Sequence, residues 1–570
     1  DAPLHLKLDY NAQTGKMDLI VVSDSAVGAS TPSIIVDEIK VLVSGNATST
    51  KYLDGLGKTV IEVSKDTVTA IKDNETYIFN PIANEIGAYT VAKTNNINNY
   101  SLLQDFIQNQ QNSTSIALSD NITLTNDLGE LAGNNRNATI YGNGFAIDGN
   151  GHDGVTVKSG QTLDFNKITL NNFTNSYIVD NAGTVEMFST SLNNANAKNI
   201  GTLNLISSAL DGVTIDNADK GRLNIDSSIL NNTKINHQGY GYDNSIYLYG
   251  ENTFNSGSIN EASSKNGAIR LTSGATTINN GFNVYLETLN LGDNNGQTPV
   301  TLNNFGNIDV NNLKLFNTNL NNKGNIKITF AMYDNMSSNV VNDGTIELNS
   351  GASWYISQNS TFKNNSTGNL IVATPMETKY VKNTGKLINE GLITANIQNF
   401  DQETHWAPYY YGELTSSLDN IAGLIYQQGD GNNDSIFNIT GGTINNSKKI
   451  QNYPDKSGGI INILGTVKSL VRLDNFDGKT FVKNGGELQV AGSETSKIFT
   501  TSGNVNFENG STLNLRESTI PVGQQFSPDN LILAENDTLN LKMKDGLTLN
   551  VTDSSAKGNF SLKELEIKDG

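Results

Sequence analysis

The residues with the most chemical potential gather in irregular stretches of the chain. His405-Trp406-Ala407-Pro408-Tyr409-Tyr410-Tyr411-Gly412 sets four large aromatics beside Pro and Gly. Trp406, Tyr409, Tyr410 and Tyr411 are the candidate ligand-binding residues: such rings stack on sugars or anchor a protein partner, and the alternative is that they seal a bend in the fold. Tyr240, Tyr242, Tyr247 and Tyr249, with glycines between them, mark a second stretch over residues 237–270. Catalytic groups are sparse. The four histidines, His5, His152, His237 and His405, are isolated, which argues against a zinc site. Asp434-Ser435 lacks the flanking glycines of a serine nucleophile segment. No cysteine exists to act as nucleophile, thiolate ligand or disulfide. Asp430-Gly431-Asn432-Asn433-Asp434 begins like a calcium loop, but Ser435 occupies the sixth position and Gly441 the twelfth, where Gly and Glu are needed. No catalytic set, cofactor or metal is expected.

The elements that must carry these groups are announced by a repeat. Asn304-Phe305-Gly306-Asn307-Ile308-Asp309-Val310 returns as Asn322-Lys323-Gly324-Asn325-Ile326-Lys327-Ile328 and as Asn342-Asp343-Gly344-Thr345-Ile346-Glu347-Leu348. Looser copies at Gly368 and Gly385 follow, so the glycines are spaced 18, 20, 24 and 17 residues apart. An earlier phrase, Thr162-Leu163-Asp164-Phe165, recurs from Thr184, Thr202 and Arg222 at steps of 22, 18 and 20. A period near 20 with alternating apolar residues inside each copy predicts a β-solenoid. Asn pairs recur at the predicted turns (Asn171-Asn172, Asn193-Asn194, Asn231-Asn232, Asn303-Asn304, Asn321-Asn322). Asn tolerates left-handed backbone, and its amide can bond the same amide one rung away.

Composition agrees. The chain has 570 residues, beyond the size at which one globular core keeps growing, so a repeat array or several domains must accommodate it. Only 36% of residues are hydrophobic, which suits rungs whose inward side chains alone are apolar. The net charge of −19 is scattered and no basic stripe is visible in the sequence, so nucleic-acid binding is not expected. No apolar run reaches the ~20 residues of a membrane span, and no membrane insertion by this segment is expected.

A short helix, then Ile116-Ala117-Leu118 with Asn121-Ile122-Thr123-Leu124, then Thr139-Ile140-Tyr141-Gly142-Asn143-Gly144 running to Ile147-Asp148-Gly149-Asn150-Gly151, resembles the opening of pectate-lyase-like right-handed β-helices. It is most similar to those of bacterial autotransporter passengers and polymorphic outer-membrane proteins, and the resemblance covers about residues 100–515. It implies a right-handed parallel β-helix; turn-separated strand candidates before residue 96 predict a small N-terminal β-sandwich-like domain, and the apolar stripe Leu102, Leu103, Phe106 and Ile107 predicts a short capping helix, so an all-β chain is expected. The expected divisions are 1–96, an N-terminal β-rich, Ig-like domain; 97–515, the β-helix, with its capping helix at 101–112, Ser101 as N-cap and insertions near 237–270 and 400–435; and 516–570, further rungs or the start of another module.

The resemblance also implies an exported bacterial cell-surface protein, anchored to the outer membrane through a part outside this chain. Its function would be that of a stalk or adhesin, not an enzyme, with a host or bacterial surface glycan or protein, or a second copy of itself, as partner. Absence of Cys fits export through a narrow pore. Enzymes of this fold offer the first alternative, a polysaccharide lyase or hydrolase. Their sets are missing: Gly151-His152-Asp153, near Asp148, lacks a second Gly and no Arg-x-Lys accompanies it, while Arg136, Arg222, Arg270, Arg472 and Arg516 show no lyase context. A self-assembling surface-layer or matrix subunit is the second alternative.

Overall fold

The computed structural model describes side chains over most of residues 94–393, 462–466, 480–490, 505–550 and 558–562, with shorter breaks inside these ranges; elsewhere it describes the backbone of individual strands. The chain divides into two compact units, Asp1–Leu223 and Asn224–Gly570.

In the first unit, Leu4–Asn11 pairs with Lys16–Met17 and Ile34–Val41. Val68–Lys72, Glu75–Pro81 and Tyr89–Ile97 form an antiparallel meander. Its last strand runs parallel to Thr114–Leu118, so the meander is hydrogen-bonded directly to the first solenoid rung. The helix between them spans Tyr100–Gln108, shorter than the expected 101–112. Asn99, not Ser101, caps it, because the Asn99 side chain accepts the Leu102 N–H at 3.1 Å and satisfies one of the orphan donors of the first turn. Leu103, Phe106 and Ile107 are buried, whereas Leu102 is 46% exposed. The guanidinium of Arg136, 1% exposed, lies 4.6 Å over the Phe106 ring and donates to the Ile107 and Gln110 carbonyls at the helix end. That group holds the helix against the rungs; it is not a catalytic base.

Beyond the helix the backbone winds into stacked parallel ladders. Asn137–Tyr141, Thr162–Asn166, Thr184–Phe188 and Thr202–Ile206 lie one on the next in unbroken register. Leu163, Phe165, Val185, Met187, Leu203 and Leu205 point inward, and the residues between them point out. Two further ladders run through Ala146–Asp148, Thr169–Asn181 and Ser191–Asn199, and through Val155–Val157, Thr169–Asn181, Ser191–Asn199 and Thr214–Asn217. Because the period of side-chain direction is two, one slip would turn every inward Leu or Val to solvent, so the alternation itself enforces register.

The Asn-x-Gly phrase is a corner of the solenoid. In the first unit, Asn181 donates to the Asn199 amide oxygen at 2.8 Å and to the Thr202 carbonyl at 2.8 Å, and its own oxygen accepts the Gly183 N–H at 2.9 Å. Asn199 repeats this toward Asn217 at 2.6 Å. In the second unit Asn304, Asn322, Asn342, Asn364 and Asn389 form a longer ladder, each amide donating to the next at 2.8–2.9 Å, and all five are fully buried. Buried amides must be paired, and here each rung supplies the partner of the last. The glycine is required by the stacking: a Cβ on Gly324 would stand 2.1 Å from the Gly306 carbonyl oxygen, and one on Gly344 2.1 Å from that of Gly324.

The Asn pairs divide the two expected tasks differently along the chain. In the first unit Asn172 and Asn194 adopt left-handed φ values of 60° and 49°, while Asn193 bonds Asn171 on the outer surface. In the second, Asn303 and Asn321 make the outer pair and Asn304 and Asn322 the buried ladder. In the 516–570 region, Leu531–Leu533 and Thr538–Lys544 stack parallel on Val505–Phe507 and Thr512–Asn514, and Asn559–Glu566 stacks on Thr538–Lys544.

Candidate functional site

Trp406, Tyr409, Tyr410 and Tyr411 lie outside the described residues, as do the side chains of His5, His405, Asp430 and Asp434. Of the remaining histidines, His237 is fully buried, and burial pushes its pKa down to about 4, so it is neutral near pH 7. His152 lies 3.6 Å from Asp127, and the nearby Ser176 hydroxyl donates to the His152 carbonyl rather than to its imidazole. Asp148 accepts from the Asn172 amide and the Asn150 N–H, which makes it a turn residue. Trp354 is buried within a rung and packs edge-on to Phe362 at 4.5 Å. Among the described residues no three His, Asp or Glu side chains could together hold a metal ion, and no helix is long and apolar enough to cross a membrane.

Two outward-facing groups stand out, neither assembled by the sequence reading. In the first unit Asp164 and Glu186 occupy the same register position on neighbouring strands. Thr139 donates to Asp164 at 3.2 Å, and Asn204 donates to Glu186 at 3.0 Å. Burial, and then the neighbouring Glu186 charge, raise the Asp164 pKa to about 6, against a smaller lowering by the Thr139 hydroxyl. The same burial raises the Tyr141 phenol, with Asp164 adding to the effect. Each acid sits in the middle of a Thr-Leu-Asp-Phe-like phrase that had meaning only as a strand; their adjacency depends on the stacking register.

In the second unit, Ile246–Tyr249, Ala268–Leu271, Ala275–Leu291, Asn307–Phe316 and Asn325–Met336 align Tyr247, Arg270, Asn290, Lys314 and Tyr333 in one register column. Tyr247 is nearly buried and stacks with Tyr249 at a centroid distance of 6.3 Å. The Arg270 Nε donates to the Ser245 hydroxyl at 3.3 Å, which orients the guanidinium. Asn290 is 5% exposed, and its amide makes no hydrogen bond among the described residues. At the adjoining corner the Glu287 carboxylate accepts from the Asn311 and Asn312 amides. The tyrosines near residue 240 were a sequence signal; Arg270 and Lys314, 44 residues apart, were not.

No family model and no curated protein matches this chain. Among solved structures, one described as a TibC-catalysed hyper-glycosylated TibA55-350 fragment is 13% identical, with a TM-score of 0.18 over 71% of this chain and 99% of that one. So weak a superposition says nothing about activity or ligand.

Proposed function

We propose that this chain is the β-solenoid stalk of an exported bacterial cell-surface protein and acts in adhesion, presenting recognition groups to a glycan or protein on host or neighbouring cells. The observation that supports this reading is the in-register ladder pinned by buried asparagines. Its stability resides in inward side chains and backbone, which leaves the outward position of every strand free to carry recognition chemistry. Trp406, Tyr409, Tyr410 and Tyr411 are proposed as ligand contacts. Purified chain coupled to beads should adhere to cells and to a glycan array, and Trp406→Ala should weaken at least one of these interactions. Absence of binding by wild type in both assays would overturn the adhesive reading.

A second reading, a polysaccharide-cleaving enzyme, is favoured by one observation. Asp164 and Glu186 sit on adjacent strands. A rung step of about 4.8 Å would set them near the roughly 5–5.5 Å separation of the carboxyl pair in retaining glycosidases. The raised pKa of Asp164 suits a general acid. Release of reducing ends from a polysaccharide panel, lost in Asp164→Asn, would establish this activity; no release by wild type would remove it.

A further inference from the structure

We infer that the outward column Tyr247–Arg270–Asn290–Lys314–Tyr333 of the second unit is a binding strip for a linear acidic polysaccharide, one bearing a carboxylate or sulfate on alternate sugars. The inference rests on the adhesive reading and gives it a ligand chemistry and an address distinct from Trp406.

Charge complementarity is the first argument. The chain carries a net charge of −19, yet this column aligns two cations, and the described side chains of the same outward column include no carboxylate. Arg270 and Lys314 are separated by Asn290 alone, hence by two rung steps of about 4.8 Å each, or roughly 10 Å. That interval suits anionic groups on every second sugar of an extended chain lying along the column. At physiological salt the Debye length is about 8 Å, so the distant acids responsible for the net charge are screened and local charges dominate. At the adjoining corner the Glu287 carboxylate is bonded to Asn311 and Asn312.

Asn290 is the second, independent argument. Its side chain is more than nine-tenths buried between the two cations in the column, without a hydrogen-bond partner among the described residues. Its amide nitrogen and oxygen retain some exposure, so a ligand can reach them and supply the bonds the chain does not. A hydroxyl-rich ligand seated between Arg270 and Lys314 would supply both a donor and an acceptor at that point. Tyr249, stacked on the nearly buried Tyr247, and Tyr333 flank the two cations, where a partly exposed ring can cover the apolar face of a sugar. Arg270 is pre-oriented by its bond to Ser245, which lowers the entropy lost on engaging an anion. Lys314 forms no ion pair among the described residues.

The test uses the full chain and three immobilised polymers: an alternating uronate polysaccharide, its alternating sulfated counterpart, and a neutral polymer of similar linkage. Wild type should bind at least one acidic polymer, more weakly as salt is raised, and should not bind the neutral one. Lys314→Gln should weaken binding about tenfold, and Asn290→Asp, which places a carboxylate between the cations, should abolish it. Asn290→Gln keeps the amide and controls for packing, and a thermal melt of each variant checks folding. Preference between the acidic arms identifies carboxylate or sulfate as the recognised group. Equal binding of the neutral polymer, or wild-type affinity in both Lys314→Gln and Asn290→Asp, would overturn the strip. If bead adhesion to cells persists while no acidic polymer is bound, the strip is wrong and the adhesive reading stands. If both fail, the adhesive reading fails with it.

Discussion

Replacing Asn322 with Ala tests the claim that the buried amide ladder, more than the outer one, holds the second unit together. Asn322 accepts from the Asn304 amide at 2.8 Å and donates to the Asn342 oxygen at 2.8 Å and to the Thr345 carbonyl at 3.1 Å. Asn322→Ala therefore strips a partner from two buried amides and from the part-buried Thr345 carbonyl, while the Asn304 amide keeps its 3.4 Å bond to the Asn325 carbonyl. Each unmet buried group costs about 1–3 kcal/mol; with partial relaxation of the corner, the loss should be about 2–5 kcal/mol. That is a large share of the roughly 5–15 kcal/mol that stabilises a typical domain. The adjacent Asn321 supplies the control, since it also bonds an Asn one rung away, Asn303 at 2.9 Å, but from the solvent side. Water replaces that bond, so Asn321→Ala should cost only about 0.5–1.5 kcal/mol. Urea unfolding followed by far-ultraviolet circular dichroism measures both, with an unchanged slope certifying that stability rather than cooperativity has moved. Equal losses in the two variants would refute the reasoning, because burial would then not be what gives the ladder its value.

Two more outcomes follow from the same physical accounting. The Asp164 pKa is raised from 3.8 to about 6 on folding, so the folded chain retains this proton longer than the unfolded one. Stability should fall as pH rises through roughly 4 to 6, and the full penalty should persist above 6. At face value the shift corresponds to about 3 kcal/mol, reduced to about 1–2 kcal/mol by solvent reaching a partly exposed side chain. Asp164→Asn, which can still accept from Thr139, should remove that window and raise the melting temperature at pH 7 but not at pH 3.5; a variant with the wild-type pH profile would contradict the assignment. Thr276 is fully buried, its hydroxyl lacks a hydrogen-bond partner, and it lines an apolar cavity among Leu248, Phe254, Ile269 and Ile278. Thr276→Val keeps the shape and removes the stranded hydroxyl, so urea unfolding should show a gain of about 1–2 kcal/mol, and a loss of stability would show that the hydroxyl is satisfied.

The sequence alone determined the periodic part of this protein. Alternation in Thr162-Leu163-Asp164-Phe165 specifies which side chains face inward, and recurrence of Asn-x-Gly specifies the corner, because both depend on short-range spacing that a linear text preserves. Even the dual use of Asn, left-handed turn and amide ladder, was legible from its chemistry; which member of each pair does which was not, since that depends on whether the corner side chain turns in or out. The helix was visible as an apolar stripe, but its start moved to Asn99, whose reach to the Leu102 N–H is a matter of local geometry. Surface chemistry was hidden for a different reason. Outward residues are unconstrained by periodicity, so nothing in the text marks Asp164 with Glu186, or Arg270 with Lys314, as neighbours. Rung length varies from copy to copy, and only the hydrogen-bonded register of the stacked strands decides which of these side chains meet.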